Sequence, residues 1–274
     1  MSITRQAWLL PRPSPTTTSN LPLLPNFLII GAARSGTTAL YSHLQGHPDI
    51  YLPANKRPEP HFFYKSAEYA RGLSYYEERY FSAWSGQKAI GEASTSYLFG
   101  PDVPLRIRAD LPNVKLICVL RNPIERAFSS YWHTVNSGLE TIPFEEAIAC
   151  EADRQEQLVS TPLGELAPFA YAGRGFYCRQ LTHWLTQFDR EQMKVVIFDD
   201  FVSTPQDTLV DIVKFLGVSP ADLANRAFAV ENKSVPIDAE ISPKARKMLS
   251  DMFHEDVAGL GSLLGRDLTH WLKT

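Results

Sequence analysis

Residues Phe27–Pro48 read FLIIGAARSGTTALYSHLQGHP, and this stretch restricts the fold more than any other part of the chain. Phe27–Gly31 is an apolar run with β-branched residues that stops at a glycine, the pattern of a buried strand. Beyond Gly36 the spacing turns helical, with Leu40 and Leu44 four apart. The same grammar returns at Val114–Leu120, VKLICVL, followed by RNPIERAFSSYWHTV, where Pro123 falls in the first turn of a helix, its tolerated place. It returns again at MKVVIFDDF, followed by a helix from about Thr204 to Leu216 that Gly217 ends. Strands alternating with helices imply an α/β chain: a mostly parallel central sheet flanked by helices on both faces, in three layers. GRGFYCRQLTHWLTQF puts Tyr177, Leu181, Trp184, Leu185 and Phe188 on one helix face, read first as a core face.

At 274 residues and 44% hydrophobic, the chain can bury one substantial core, and no interior segment has a linker's composition. Residues 1–25 contain PRPSPTTTSNLPLLP, whose prolines and hydroxyl residues favour an extended arm, so the domain is expected over 26–274. A net charge of −3 provides no general basic field, and neither nucleic acid nor an anionic membrane is expected as a partner. No run approaches the ~20 apolar residues that span a bilayer, and AWLLP is too short for the core of a secretory signal. Cys118, Cys150 and Cys178 are widely separated and lack a C-x-x-C pair, which fits a reducing compartment. The cytoplasm is therefore the expected location, and homo-oligomerisation is left open.

Gly31 and Gly36 have the spacing of a G-x-x-x-x-G-K-[ST] phosphate loop, but Thr37 stands where that loop carries lysine. A loop that leaves a strand and enters a helix offers backbone N–H groups and a positive dipole end to an anion. Arg34, Ser35, Thr37 and Thr38 add donors to that offer, and Gly36 lets the backbone approach the ligand. Nucleotide kinases and NTPases need the missing lysine, together with magnesium, on the β and γ phosphates. A single phosphate bearing a sulfonate carries less charge at that end and needs neither. A second anchor is Arg121, at the end of a strand, with Ser129 eight residues later in the following helix. Arginine can hold a phosphate through two parallel hydrogen bonds, and serine can add a third.

IIGAARSGTTALYSHLQGHP, RPEPHFF and LRNPIERAFSSY resemble, in that order, the 5′-phosphosulfate loop, the catalytic-base segment and the 3′-phosphate motif of sulfotransferases that use 3′-phosphoadenosine 5′-phosphosulfate (PAPS). The similarity is to the heparan sulfate sulfotransferase domain and its bacterial relatives. RGFYCRQLTHWL and LLGRDLTHWL extend it, so that it runs from about Asn26 to Leu272. It implies a P-loop-like fold, with Arg34, Gly36, Thr37 and Thr38 on the phosphosulfate and Arg121 and Ser129 on the 3′-phosphate. Most relatives have lysine at the position of Arg34, and arginine keeps the charge in a different shape. For Tyr177 two readings stand, the adenine or 3′-phosphate and the core. For Lys233, in ENKSVP, the two are a loop over the nucleotide and a solvated surface.

The resemblance also assigns Glu59 as general base, taking the acceptor's proton as the nucleophile attacks sulfur in line with the departing phosphate. Glu59 lies between Pro58 and Pro60, in a segment forced to be extended. His61, two residues away and on the same side of an extended chain, is the reserve base. Lys56 and Arg57 either screen the base, meet an anionic acceptor or are simply solvated. Transfer in this scheme needs no metal; Arg34 and the loop donors stabilise the leaving phosphate, giving 3′-phosphoadenosine 5′-phosphate (PAP). In the heparan-type enzymes the segment aligned with GEASTSYLF commonly has lysine after its glutamate, whereas Ala93 follows Glu92 here. That favours a small metabolite, lipid or simple glycan acceptor with a hydroxyl or amine over a polyanionic sugar. The rival enzyme is a nucleotide kinase or NTPase, with VVIFDD as a Walker-B-like strand ending in Asp199 and Asp200. The rival of another class is an inactive PAP-binding module.

Overall fold

The computed structural model describes residues 23–54, 59–158, 167–223 and 239–273. Five strands, β1 (Phe27–Gly31), β2 (Ile50–Tyr51), β3 (Ala89–Ala93), β4 (Lys115–Leu120) and β5 (Met193–Ile197), form one sheet in the order β2-β3-β1-β4-β5. Every pairing is parallel. β1, all of whose residues are buried, lies at the centre between β3 and β4. The chain leaves β1 toward one edge, returns as β3, then crosses to β4 on the other side. That reversal makes the C-terminal end of β1 the switch point where ligands of open α/β sheets gather.

Side-chain alternation along the strands divides the core into two layers. Leu28, Ile30, Leu116, Cys118 and Leu120 face one cluster, and Phe27, Ile29, Ile117 and Val119 face the other. The first layer receives Tyr76 of the Leu73–Tyr80 helix, Ile124 and Ala127 of the Pro123–Asn136 helix, Leu181 and Trp184 of the Tyr177–Leu185 helix, and Leu249 and Phe253 of the Pro243–Leu264 helix. The second receives Leu40 and Leu44 of α1 (Thr37–Gln45) and Leu209, Ile212 and Val213 of the Pro205–Leu216 helix. The expected three-layer α/β fold is the observed one. Tyr177, Leu181, Trp184 and Phe188 are buried, and Leu185 is half-buried at the rim of the same face.

Local signals set the element ends as anticipated. Pro123 and Pro205 start their helices, and Asn122 caps the first by accepting from Ile124 N at 2.9 Å. Gly217, at φ +83°, ends the Pro205–Leu216 helix in the left-handed conformation. Leu23 and Leu24 already pack on the core, slightly ahead of the expected start at Asn26. All three cysteines are free thiols, and no helix among the described residues is long and apolar enough to cross a membrane.

Candidate active site

Because the strands are parallel, their C-terminal ends share one edge of the sheet, and several candidate groups among the described residues gather there. β1 supplies the Gly31–Gly36 loop, β3 supplies Ser94, Thr95 and Ser96, β4 supplies Arg121 and β5 supplies Phe198. Gly31 is confined by contact: a Cβ there would lie 2.8 Å from Leu98 Cβ and 3.4 Å from Thr95 O. Gly36 is confined twice, by φ +85° and by the Phe198 ring, which a Cβ would meet at 2.9 Å. Arg34 also adopts the left-handed region, at φ +70°, a conformation that costs a residue with a side chain about 1–2 kcal/mol and that clusters at functional sites. No side chain caps α1 and no acid lies in its first turn, so its positive end stays open to an anion.

The two anchors read from the sequence meet in space. Arg34 Nε donates to Ser129 Oγ at 3.2 Å across 95 positions of sequence. Arg121 lays its guanidinium over the Phe198 ring at 5.2 Å, and the same ring backs Gly36. Thr37 is buried and Thr38 exposed at the start of α1. Ser35 and Tyr177 are both 0% exposed; the Tyr177 hydroxyl lies beside Ser35 and the backbone of Arg121. Neither hydroxyl completes a hydrogen bond of standard geometry with the described residues. Tyr177 is thus a core residue, the second of its two readings, with its hydroxyl between the first loop and Arg121. Lys233, Lys56, Arg57 and Pro58 lie outside the described residues.

Glu59 and His61 stand over the end of β3. Glu59 Oε2 accepts from Thr95 N at 2.8 Å and Thr95 Oγ1 at 2.9 Å, and His61 Nε2 is 3.7 Å from the same oxygen. An extended chain, as the flanking prolines suggest, is not what brings the two together: His61 is left-handed, at φ +50°. A turn brings it round instead: His61 N donates to Ser94 Oγ at 2.8 Å, its Nδ1 lies 2.7 Å from Ser96 Oγ, and its carbonyl accepts from Tyr64 N and Lys65 N. Side-chain exposures of 10% for Glu59 and 18% for His61 leave both within reach of solvent and partly desolvated.

Several further side chains surround the anchors. Phe198 serves both anchors although the interest of VVIFDD lay in its acids. Arg126, one turn before Ser129 on the same helix face, is fully buried beneath the site and donates to the Tyr171 carbonyl; burial lowers its pKa, with Tyr177 and Glu151 opposing. Its three-residue offset from Ser129 in RNPIERAFSSY was the available signal. Arg174 lies over the Phe99 ring at 4.9 Å and feels the charge of Glu59. Asp200 is paired through both oxygens with Arg266, and Asp199 Oδ2 accepts from Trp271 Nε1 at 3.4 Å. The two acids therefore tie down the C-terminal segment, which disfavours a Walker-B role. Among the described residues no cluster of His, Cys, Asp and Glu could hold a metal ion.

A parallel sheet with a glycine loop at its switch point, and two cationic anchors joined beside it, defines a P-loop-like α/β protein. The family model described as "Sulfotransferase domain" matches residues 24–247, and the chain belongs to that family. It is 33% identical over 195 residues to human heparan sulfate glucosamine 3-O-sulfotransferase 3B1, covering 71% of this chain and 46% of that protein. Over 204 residues it is 31% identical to human bifunctional heparan sulfate N-deacetylase/N-sulfotransferase 2, covering 72% and 22%. The chain thus spans less than half the length of these curated relatives. A solved sulfotransferase from Alicyclobacillus acidocaldarius superimposes with a TM-score of 0.75 at 34% identity, covering 92% of this chain and 100% of that one.

Proposed function

We propose that this protein transfers a sulfonate group from PAPS to a hydroxyl or amine of a glycan, lipid or small-metabolite acceptor. The observation that carries the reading is the contact between Arg34 of the first loop and Ser129 of the second anchor. It supports the reading by joining two motifs suited to anions, with a carboxylate and an imidazole held against the end of the neighbouring strand β3. PAPS, when bound, supplies the sulfonate and a phosphate able to leave with the electrons of the broken bond. The residues present fit such a donor: an uncapped helix start, Arg34, and an Arg121 guanidinium stacked on Phe198.

Arg34 and the first N–H groups of α1 hold the negative charge that grows on the bridging oxygen, a preorganised stabilisation worth about 3 kcal/mol or more. Arg121 and Ser129 hold the 3′-phosphate and set the nucleotide's register. Glu59, its Oε2 fixed by the two Thr95 donors, removes the acceptor's proton. His61, 3.7 Å from that oxygen, helps orient the carboxylate and is the reserve base. Several curated relatives are named for heparan sulfate, which puts glycans first in an acceptor screen. The magnesium-dependent kinase reading is disfavoured by Thr37 at the lysine position and by the Arg266 pairing of Asp200.

The test is transfer of labelled sulfonate from PAPS to a panel of glycans, phenols, sterols and amines, with wild-type protein and Glu59→Gln. Transfer by the wild type, its loss in the variant, and PAP affinity held within about twofold in EDTA are expected. A Glu59→Gln enzyme with wild-type turnover would move the base elsewhere.

A further inference from the structure

Beneath the base segment lies a carboxyl group that the proposed reaction does not use. Glu92 of β3 is 1% exposed and pairs in register with Leu28 of β1. Tyr76 Oη donates to its Oε1 at 3.0 Å, Ser94 Oγ donates to its Oε2 at 2.9 Å, and the Tyr97 hydroxyl sits against the same carboxylate. Each of these three residues also holds one residue of the strip that follows Glu59. Ser94 Oγ accepts from His61 N at 2.8 Å, Tyr97 Oη accepts from Phe63 N at 3.3 Å, and the Tyr76 ring stacks on Phe62 at 4.3 Å. Among the described residues, the charged and titratable groups that face Glu92 include Tyr41 of α1, Tyr76 and Tyr80 of the Leu73–Tyr80 helix, Tyr97, and Glu59 of the strip.

We propose that Glu92 is a positioning residue, the buried hub that orients Ser94, Tyr76 and Tyr97 so that residues 61–63, and with them Glu59 and His61, are held toward the acceptor. The inference rests on the reading of Glu59 as base. Three hydroxyls can all donate to one carboxylate, since an ionised group only accepts. On protonation one oxygen becomes a donor, and one of the three links must turn over. Burial pushes the Glu92 carboxyl up to about 7, so this change falls in the physiological range. The strip is fully supported above neutrality and loosens below it.

The test compares wild type, Glu92→Gln and Tyr76→Phe, the last removing one donor while keeping the ring that stacks on Phe62. In Glu92→Gln, PAP affinity stays within about twofold, kcat falls by about tenfold or more with a smaller change in acceptor KM, and exchange of the His61 and Phe63 amides speeds up by about tenfold. Wild-type kcat rises with pH through about 7, and that limb is absent from Glu92→Gln. Tyr76→Phe gives a smaller loss of the same kind. Unchanged exchange at both amides overturns the proposal whatever the activity, and so does faster exchange with wild-type kcat. Failure of the base assignment is read separately, as full turnover by Glu59→Gln.

Discussion

Replacing Glu92 by glutamine should stabilise the protein, and by more as the pH rises. Burial, opposed by the hydroxyls of Tyr97, Ser94 and Tyr76, pushes the carboxyl from 4.5 up to about 7. Because the folded value lies above the unfolded one, the fold prefers the neutral acid. Its contribution is complete below the unfolded pKa near 4.5 and is lost as pH rises through about 7. At ~1.36 kcal/mol for each pH unit between those two values, keeping Glu92 ionised in the fold costs about 3 kcal/mol. That is a large share of the ~5–15 kcal/mol by which domains are stable. Glutamine has no charge to desolvate, and its amide oxygen still accepts from these hydroxyls, although its NH2 donates and turns one of the three links over. Urea unfolding of both proteins from about pH 5 to pH 8 should show the difference growing by about 2 kcal/mol in favour of Glu92→Gln. Subtraction removes every other titrating group, since both chains share them. A difference that stays flat over that range would refute the reasoning, because Glu92 would then have no unusual pKa. The charge that weakens the fold is the one that orders the base strip, a trade of stability for activity.

Arg121→Ala should weaken PAP by about 10–100-fold, as expected for loss of a charge-assisted contact of ~1.5–3 kcal/mol. Adenosine 5′-phosphosulfate, which lacks the 3′-phosphate, should be affected far less; calorimetric titrations giving equal losses for both would remove Arg121 from the 3′-phosphate. Gly36→Ala should lower PAP affinity by about tenfold or more and reduce Tm, since φ +85° disfavours alanine and its Cβ would press on the Phe198 ring that carries Arg121. Wild-type affinity in that variant would show that the loop tolerates the shift.

Much of the scaffold was legible because its signals are local. β1 and β4 are interior strands whose Phe27–Ile30 and Leu116–Leu120 are buried from both sides and so read as apolar runs, the edge strand β5 keeps a shorter one in Val195–Ile197, and Pro123, Pro205 and Gly217 mark helix ends through their own backbone limits. β3 was not seen as a strand. AIGEA is short and contains a glycine and a glutamate, and it is a strand because β1 and β2 pair with it on either side. Gly91 is required there by the Phe27 ring, which would lie 2.3 Å from an added Cβ, a constraint that no feature of residues 89–93 announces.

The candidate site divides the same way. Its chemical types, the glycine loop with Arg34, the Arg121 and Ser129 spacing and the proline-flanked Glu59, could be read in order along the chain, since each depends on neighbours within a few residues. Their assembly could not. The contact of Arg34 with Ser129 spans 95 positions, that of Glu59 with Thr95 spans 36, and the place of Phe198 behind both anchors follows from β5 lying next to β4. Residue types and backbone preferences are properties of the local chain, whereas strand order decides which distant loops share an edge and which carboxyl group, Glu92, is shut away from water and so titrates near neutrality.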